Sequence, residues 1–173
     1  ASTSTSGTSA SASSAVLDVN CCCTAAQVTP IIQASTQGST AMVELLLSNP
    51  LVDVGAVDGD GNTAFHMAAS NNHVQIMRLL LVKMQMQMQH NTSSSAANAS
   101  AADYYNCIDQ QNEDGCTALY QACKYGHLSA VQLLLQPQLN VHLDLPTHDG
   151  WSPCYIASCN GHIEVVEVLL KRG

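Results

Sequence analysis

Cysteine and histidine are the residues of this chain that most suggest chemistry. There are eight cysteines and seven histidines, and both side chains are common zinc ligands. Their spacing argues against such a site. Cys116 and Cys123 are seven positions apart, whereas Cys154 and Cys159 are five apart, which would set them about 140° apart around a helix. Neither pair has the C-x₂₋₄-C spacing of a closed zinc site, so we expect no metal and no cofactor.

Three consecutive cysteines at positions 21–23 are a separate feature. They lie in an irregular stretch, where we expect partial exposure. Exposed thiols can be oxidised or palmitoylated, although an inert role is favoured. A disulfide framework is not expected in a chain of this length that has its own core and no secretion signal.

Motifs of catalysis are missing from the sequence. It has no Gly-rich phosphate loop, nucleophile elbow or paired-carboxylate arrangement. The glycosylation sequons at Asn91 and Asn98 would matter only in a secreted protein. We therefore expect no catalytic residues.

The charge balance limits the class of partner. Five Lys and Arg against 13 Asp and Glu give a net charge of −8, which repels nucleic-acid phosphates and attracts basic protein segments. No run of 18 apolar residues occurs, and residues 1–15 lack the features of a secretory signal. We expect an intracellular, most simply cytoplasmic, monomer that does not bind nucleic acid and does not span a membrane.

A pattern that occurs four times supplies the elements that hold these residues. Its clearest copy is GCTALYQACKYGHLSAVQLLL, residues 115–135. A Thr or Ser start, a short apolar helix, a Gly or Asn break and a Leu-rich close recur in residues 29–47, 63–81 and 152–170. The starts are 34 residues apart in the first two copies and 35 in the last two. This period predicts a stacked helical solenoid.

The pattern resembles the ankyrin repeat, with its T-P-L-H-x-A start, Gly-His break and Val-Val-x-Leu-Leu close. The resemblance implies an all-α solenoid of stacked helix-turn-helix units with β-hairpin-like turns, spanning residues 16–173. We expect repeats at about 24–55, 56–83, 107–139 and 140–173.

Two segments fall outside the repeats. Residues 1–15 are Ser, Thr, Ala and Gly without a hydrophobic period, which predicts a flexible linker. Residues 84–105 are an insertion whose Met-Gln start favours a turn or two more of helix before a disordered loop. The chain ends straight after an apolar helix without a polar capping repeat, so we expect it to be a fragment of a longer protein.

Repeat one departs most from the pattern, because its turn lacks the Asp-Gly of the others. Thr29 is expected to cap its first helix and Pro30 to begin it. Ile32 stands where the family has a histidine and cannot replace its hydrogen bond, which predicts the loosest repeat. The buried face of its second helix is predicted to contain Met42, Val43, Leu45, Leu46 and Leu47.

The histidines follow the repeat. One position of the repeat, directly after the break, is occupied by His73, His127 and His162. We expect these histidines to bond the neighbouring turn rather than to catalyse. His66 occupies the histidine position of T-P-L-H, which Tyr120 and Tyr155 fill elsewhere. Cys123 occupies a small-residue position, so packing explains it.

The resemblance also implies a binding surface, since partners of such proteins contact the hairpin tips and the exposed positions of each first helix. The corresponding tip residues are Val57, Asp60, Asn62, Gln111, Glu113, Asp114, Cys116, Pro146, His148, Asp149 and Trp151. The first-helix residues before the break are Thr36, Gln37, Ser70, Asn71, Lys124, Tyr125, Cys159 and Asn160.

Two features of this surface have alternative explanations. The acids along the predicted tips (Asp58, Asp60, Glu113, Asp114 and Asp149) predict a partner with Lys or Arg in its contact segment, unless they only stabilise turns by bonding their own backbone. Trp151 is either a binding hot spot or a cover for the adjoining turn.

These expectations lead to three hypotheses about function. The first is a non-catalytic scaffold that binds a protein or peptide. The second is a targeting or regulatory segment of a longer enzyme, such as a kinase or a ubiquitin ligase. The third is a purely structural spacer, which would retain no partner.

Overall fold

The computed structural model describes residues 18–22, 26–91 and 108–172. The predicted linker at residues 1–15, residues 92–105 of the predicted insertion, and Cys23 lie outside the described residues. No helix in the described ranges is both long enough and apolar enough to span a membrane.

Eight α-helices account for most of the described chain, and the predicted all-α solenoid is confirmed. The turn before α3 adds an isolated antiparallel bridge between Val57 and Thr63, and one 3₁₀ turn spans Pro137–Leu139. The helices are α1 Pro30–Gln37, α2 Thr40–Ser48, α3 Ala64–Ser70, α4 Val74–Asn91, α5 Ala118–Lys124, α6 Leu128–Leu134, α7 Pro153–Cys159 and α8 Ile163–Arg172.

A side-chain hydroxyl caps the start of the first helix in repeats two to four. The hydroxyls of Thr63, Thr117 and Ser152 each accept a hydrogen bond from the backbone N–H three residues later, which satisfies an otherwise unpaired helix donor. At the break, Gly126 has a φ of 71° and Asn72 a φ of 58°. Both are left-handed, the conformation for which Gly and then Asn are best suited.

The helices stack in two layers. The first helices α1, α3, α5 and α7 pack against one another in chain order, and so do the second helices α2, α4, α6 and α8. The alanine at one position of every first helix is buried, at Ala34, Ala68, Ala122 and Ala157. A small side chain at this position lets successive helices approach closely, so a single core continues through all four repeats.

Two predictions for repeat one are wrong. The Thr29 hydroxyl makes no capping hydrogen bond, because it is buried without a hydrogen-bond partner in the described part of the chain. In α2 only Val43 is fully buried, whereas Met42 and Leu45 are exposed. No described repeat precedes α2, so nothing in the described residues covers that side of the helix.

Helix α4 continues into the predicted insertion, as the Met-Gln pattern suggests. It ends at Asn91, and Met84 is buried against the core. Just before this extension, the Lys83 ammonium donates to the carbonyl oxygens of Leu47 at 2.7 Å and Asn49 at 3.3 Å. Because these carbonyls end α2, Lys83 ties the second helices of repeats one and two together.

Candidate functional site

Three five-residue turns, at residues 58–62, 112–116 and 147–151, form the tips of repeats two to four. In each turn the first side chain closes the loop. The Asp58 carboxylate accepts from the backbone N–H groups of Asp60 and Asn62 at 3.0 and 2.8 Å. Asn112 does the same in the second turn, and the Thr147 hydroxyl accepts from the Trp151 N–H at 3.2 Å in the third.

Backbone hydrogen bonds join each tip to the next. Gly59 N–H donates to Ala26 at 2.7 Å, Glu113 N–H to Asp60 at 3.0 Å, and His148 N–H to Asp114 at 3.1 Å. Side chains add to this ladder, since the Asn112 amide donates to the Asn62 side chain at 2.8 Å and Gln111 donates to the Pro146 carbonyl at 2.9 Å. The tips therefore form one rigid row.

The turn of repeat one joins this row despite its irregular sequence. Gln27 has a φ of 53°, in the left-handed region where Gly61 and Gly115 have 77° and Gly150 has 82°. Sequence reasoning missed this equivalence because Gln27 is not a glycine. Counting back two residues from Thr29, as Gly61 stands two before Thr63, would have found it.

Most of the predicted contact residues are exposed, but three are half-buried and one is buried. Asn62 and Ser70 are half-buried, and Cys116 is buried with 7% of its surface exposed. The expectation that Cys116 meets a partner is wrong, because its side chain belongs to the core. The exposed contact residues are Val57, Asp60, Gln111, Glu113, Asp114, Pro146, His148, Asp149 and Trp151 at the tips, and Gln37, Asn71, Lys124, Tyr125, Cys159 and Asn160 on the first helices; Thr36 is half-buried.

Two of the three histidines after the breaks, His127 and His162, bond the preceding repeat as predicted, whereas His73 makes no such bond within the described residues. His127 Nε2 lies 2.9 Å from the Ser70 carbonyl oxygen, and His162 Nε2 lies 3.2 Å from that of Lys124. The Asn160 amide donates to the same Lys124 carbonyl at 2.7 Å. These bonds hold the ends of α3 and α5 in place.

Tyr125 and Lys124 project from the end of α5. The Tyr125 ring is half exposed, stacks on His127 at a centroid distance of 6.0 Å, and lies 5.5 Å from the Lys124 ammonium. These two contacts restrict the ring, so a partner that covers it would remove little additional side-chain entropy.

Four acids along the tips carry uncompensated charge. The ion pairs of the described ranges are Asp109 with His142 and Glu167 with Lys171, and neither lies in the row of tips. The Asp58 carboxylate accepts hydrogen bonds from the backbone of its own turn, so stabilisation of the turn accounts for an acid at this position. The side chains without such bonds in the described part are those of Asp60, Glu113, Asp114 and Asp149.

An exposed aromatic pair lies at the last tip, and sequence reasoning missed half of it. The Trp151 and Tyr155 rings meet edge to face at 5.4 Å with an interplanar angle of 69°, and they are 44% and 52% exposed. At the position of Tyr155 in the earlier repeats, His66 and Tyr120 are buried. The four-residue spacing from Trp151 was the signal that could have revealed the pair.

Burial in the core raises the pKa of two cysteine thiols. Burial raises the pKa of Cys123 to about 12, with a smaller effect of Cys154, and burial followed by Asp114 raises the pKa of Cys116. Within the described residues, no three His, Cys, Asp or Glu side chains converge in a way that could hold a metal ion.

Sequence comparisons agree with this geometry. Two family profiles match, "Ankyrin repeats (3 copies)" over residues 91–173 and "Ankyrin repeats (many copies)" over residues 31–81. The chain is 31% identical over 112 residues to "E3 ubiquitin-protein ligase XBAT33" of Arabidopsis thaliana, which covers 64% of this chain and 18% of that protein. It is 30% identical over 110 residues to "Ankyrin repeat and KH domain-containing protein mask-1" of Caenorhabditis elegans, with 63% and 3% covered.

A third relative matches a shorter stretch at higher identity. The chain is 49% identical over 57 residues to "Zinc finger CCCH domain-containing protein 24" of Oryza sativa subsp. japonica, with 31% of this chain and 8% of that protein covered. The chain thus spans less than a fifth of the length of each of these three relatives.

Proposed function

Because this chain belongs to the ankyrin repeat family, in which protein binding is the usual role of the repeat, we propose that it is a non-catalytic scaffold for another protein. The partner binds across the hairpin tips and the exposed ends of the first helices. The observation that carries this proposal is the rigid row of tips, whose backbone groups bond one another while the side chains of Asp60, Glu113, Asp114 and Asp149 are exposed.

Preorganisation supports binding at this row. A surface whose backbone is already ordered loses little conformational entropy when a partner docks, so more of the contact energy remains as affinity. The tip backbones are held from repeat to repeat by bonds of 2.7 to 3.1 Å. The side chains of Asp60, Asp114 and Asp149 occupy the same position in successive tips and recur at the spacing of the repeats.

The chemistry of this row favours a basic partner. Its acids have no ion pair in the described ranges, and the whole chain carries a net charge of −8. A partner segment with Lys or Arg would gain favourable contacts and associate faster at low ionic strength.

Affinity capture with the 173-residue chain tests the proposal. We expect a partner protein that is retained by the unaltered chain and lost with the double change of Asp114→Asn and Tyr125→Ala. The matched control changes two exposed residues of the second helices, Glu44→Gln and Gln132→Ala, and should retain the partner. Equal recovery by both variants would show that the tips and first helices are not the contact surface.

A second candidate function is a targeting segment of a longer enzyme. It is favoured by the likeness to XBAT33, which is named an E3 ubiquitin-protein ligase and of which this chain spans 18%. The test is a ubiquitin-transfer assay on the full-length gene product with and without residues 26–172. Loss of modification of the captured partner, with transfer to a generic acceptor retained, would support it, and an absence of any transfer would exclude it.

A further inference from the structure

We propose that Trp151 and Tyr155 form a seat for a Lys or Arg side chain of the partner, with Asp149 as the countercharge. This inference deepens the proposed function and rests on it, because it names the chemistry that one part of the surface recognises. The seat is the aromatic pair at the tip of repeat four, next to the acidic row.

The geometry of the pair suits a cation. The rings lie 5.4 Å apart at 69°, so they form two walls of a corner rather than a flat stack. Each ring is roughly half exposed, which leaves π surface open to a partner. An ammonium or guanidinium within about 6 Å of such a ring is attracted by its quadrupole, and Trp is the best ring for this contact.

The surrounding charge also favours a cation. Asp149 lies two residues before Trp151, and its side chain has no ion pair in the described part of the chain. After burial, Asp114 raises the pKa of Cys116, Lys124 lowers it, and Asp149 raises it by a smaller effect. Asp149 therefore supplies negative charge at this end of the row of tips.

Tyr155 has a polar neighbour on its own helix. Cys159, one helical turn further along α7, raises the pKa of the Tyr155 phenol. The phenol is neutral at physiological pH and does not add charge to the seat.

The protein carries its own reporter for this site. Trp151 is the sole tryptophan of the chain, so intrinsic tryptophan fluorescence monitors the seat directly. The probe is a short Arg-Gly-Ser repeat peptide titrated into the 173-residue chain at low ionic strength. The same peptide with citrulline for arginine keeps the shape and most hydrogen-bond donors but removes the charge.

We expect the arginine peptide to change the Trp151 emission saturably and the citrulline peptide to leave it unchanged. Tyr155→Leu and Asp149→Asn should each weaken binding by about two- to fivefold. Asp60→Asn removes an acid from the same position of the tip two repeats away, roughly 20 Å from the seat at about 8 to 10 Å per repeat. That distance exceeds the Debye length, which is about 8 Å at physiological ionic strength. When the titration is repeated at physiological ionic strength, Asp60→Asn should therefore leave the affinity for the arginine peptide unchanged.

Several outcomes would overturn the inference. One is a labelled arginine peptide that binds without a change in Trp151 emission. Another is an equal loss of binding in Asp60→Asn and Asp149→Asn, because the acids would then act through the overall charge of the surface and not at one site. A third is no binding at low ionic strength. A fourth is emission that depends on protein concentration alongside self-association in sedimentation, because a second copy would then cover the pair.

The failure of this inference is distinguishable from that of the proposed function. If affinity capture recovers a partner through Asp114 and Tyr125 while Trp151 does not respond to it, only the cation seat is excluded. If no partner is retained by the tips at all, the scaffold proposal fails first.

Discussion

Gln27 is a residue whose backbone conformation is imposed by its neighbours. A left-handed backbone costs a residue with a side chain about 1–2 kcal/mol relative to the right-handed form. Gln27 nevertheless adopts it, with a φ of 53°, because the adjacent Ala26 carbonyl accepts from Gly59 in the ladder of tips. The contacts of the turn with repeat two therefore outweigh the local preference of one glutamine.

Gln27→Gly should stabilise the chain by roughly 0.5 to 1 kcal/mol, since Gly adopts this conformation without strain but loses more entropy on folding. The control is Gln33→Gly at an exposed position inside α1, which should destabilise by about 1 kcal/mol. Both changes alter the unfolded chain equally, so chemical denaturation isolates the folded-state effect. Destabilisation by both variants would show that Gln27 is not strained.

His66 is a buried histidine whose neutral form is built into the fold. Its Nε2 lies 3.0 Å from the Cys116 carbonyl oxygen, and its Nδ1 faces the hydroxyl and N–H of Thr63. Because a carbonyl only accepts, Nε2 carries the proton and Nδ1 accepts. Burial lowers the pKa of His66 below its ordinary value, opposed by smaller effects of the backbone and of Asp58.

This lowered pKa predicts a loss of stability in mild acid. In the unfolded state His66 binds a proton near pH 6.5, whereas in the folded state it does so only at lower pH. The contribution of His66 to the free energy of unfolding is therefore fully present above about pH 6.5. Below that pH the free energy of unfolding falls by at most about 1.4 kcal/mol per pH unit. Denaturation curves at descending pH measure the slope. The slope should shrink in His66→Gln, whereas the exposed His148→Gln should keep it; an unchanged slope in His66→Gln would contradict the assignment.

The glycine at the break of repeat three, Gly126, packs against the histidine after the break of repeat four, His162. This contact couples one helix pair to the next. A Cβ on Gly126 would lie 2.4 Å from the His162 ring, whereas one on Gly161 would meet nothing within 4 Å. Both glycines have nearly the same φ, 71° and 74°. The backbone conformation therefore favours glycine at both breaks, whereas the space around the residue excludes a larger side chain only at Gly126.

This difference predicts unequal effects of one substitution at equivalent positions. Gly161→Ala should cost about 1–2 kcal/mol from backbone strain alone. Gly126→Ala should cost about 1–3 kcal/mol more, because the methyl group displaces the His162 ring. Thermal or chemical unfolding of the two variants measures both terms, and equal losses would mean that His162 moves aside freely.

Stability across the whole molecule depends on neighbouring repeats, since each helix pair contacts only the pairs beside it. Repeat one has the least complete hydrogen bonding of its buried polar groups among the four repeats, within the described residues. The hydroxyls of Thr29 and Ser35 are buried without hydrogen-bond partners in the described chain, and Ile32 offers no bond where His66 makes several. An unpaired buried hydroxyl costs about 1–3 kcal/mol.

We expect hydrogen exchange to show α1 and α2 opening before α5 and α6 under native conditions. Ser35→Ala should slow exchange in α1 and stabilise the chain by about 1 kcal/mol, because it removes an unsatisfied buried polar group. Its control is Ser158→Ala, at the same position of repeat four, where the hydroxyl is exposed and donates to Cys154. That change should stay within about 0.5 kcal/mol. Simultaneous exchange of all repeats would contradict this order.

The sequence alone determined the class of fold and most of the helices. The repeat spacing, the Thr or Ser starts and the Gly or Asn breaks are signals within single repeats, and each acts through a local hydrogen bond or backbone preference. The exposed tips were predictable for the same reason, because turn residues follow from the register of the repeat.

Only the tertiary structure decided which equivalent residues are buried and which are free. Cys116 and Trp151 occupy the same position of the turn, yet the first belongs to the core and the second is exposed. Tyr120 and Tyr155 differ in the same way. Such differences arise from contacts between residues about one repeat apart in the chain, and a local pattern that is nearly identical in every repeat does not distinguish them.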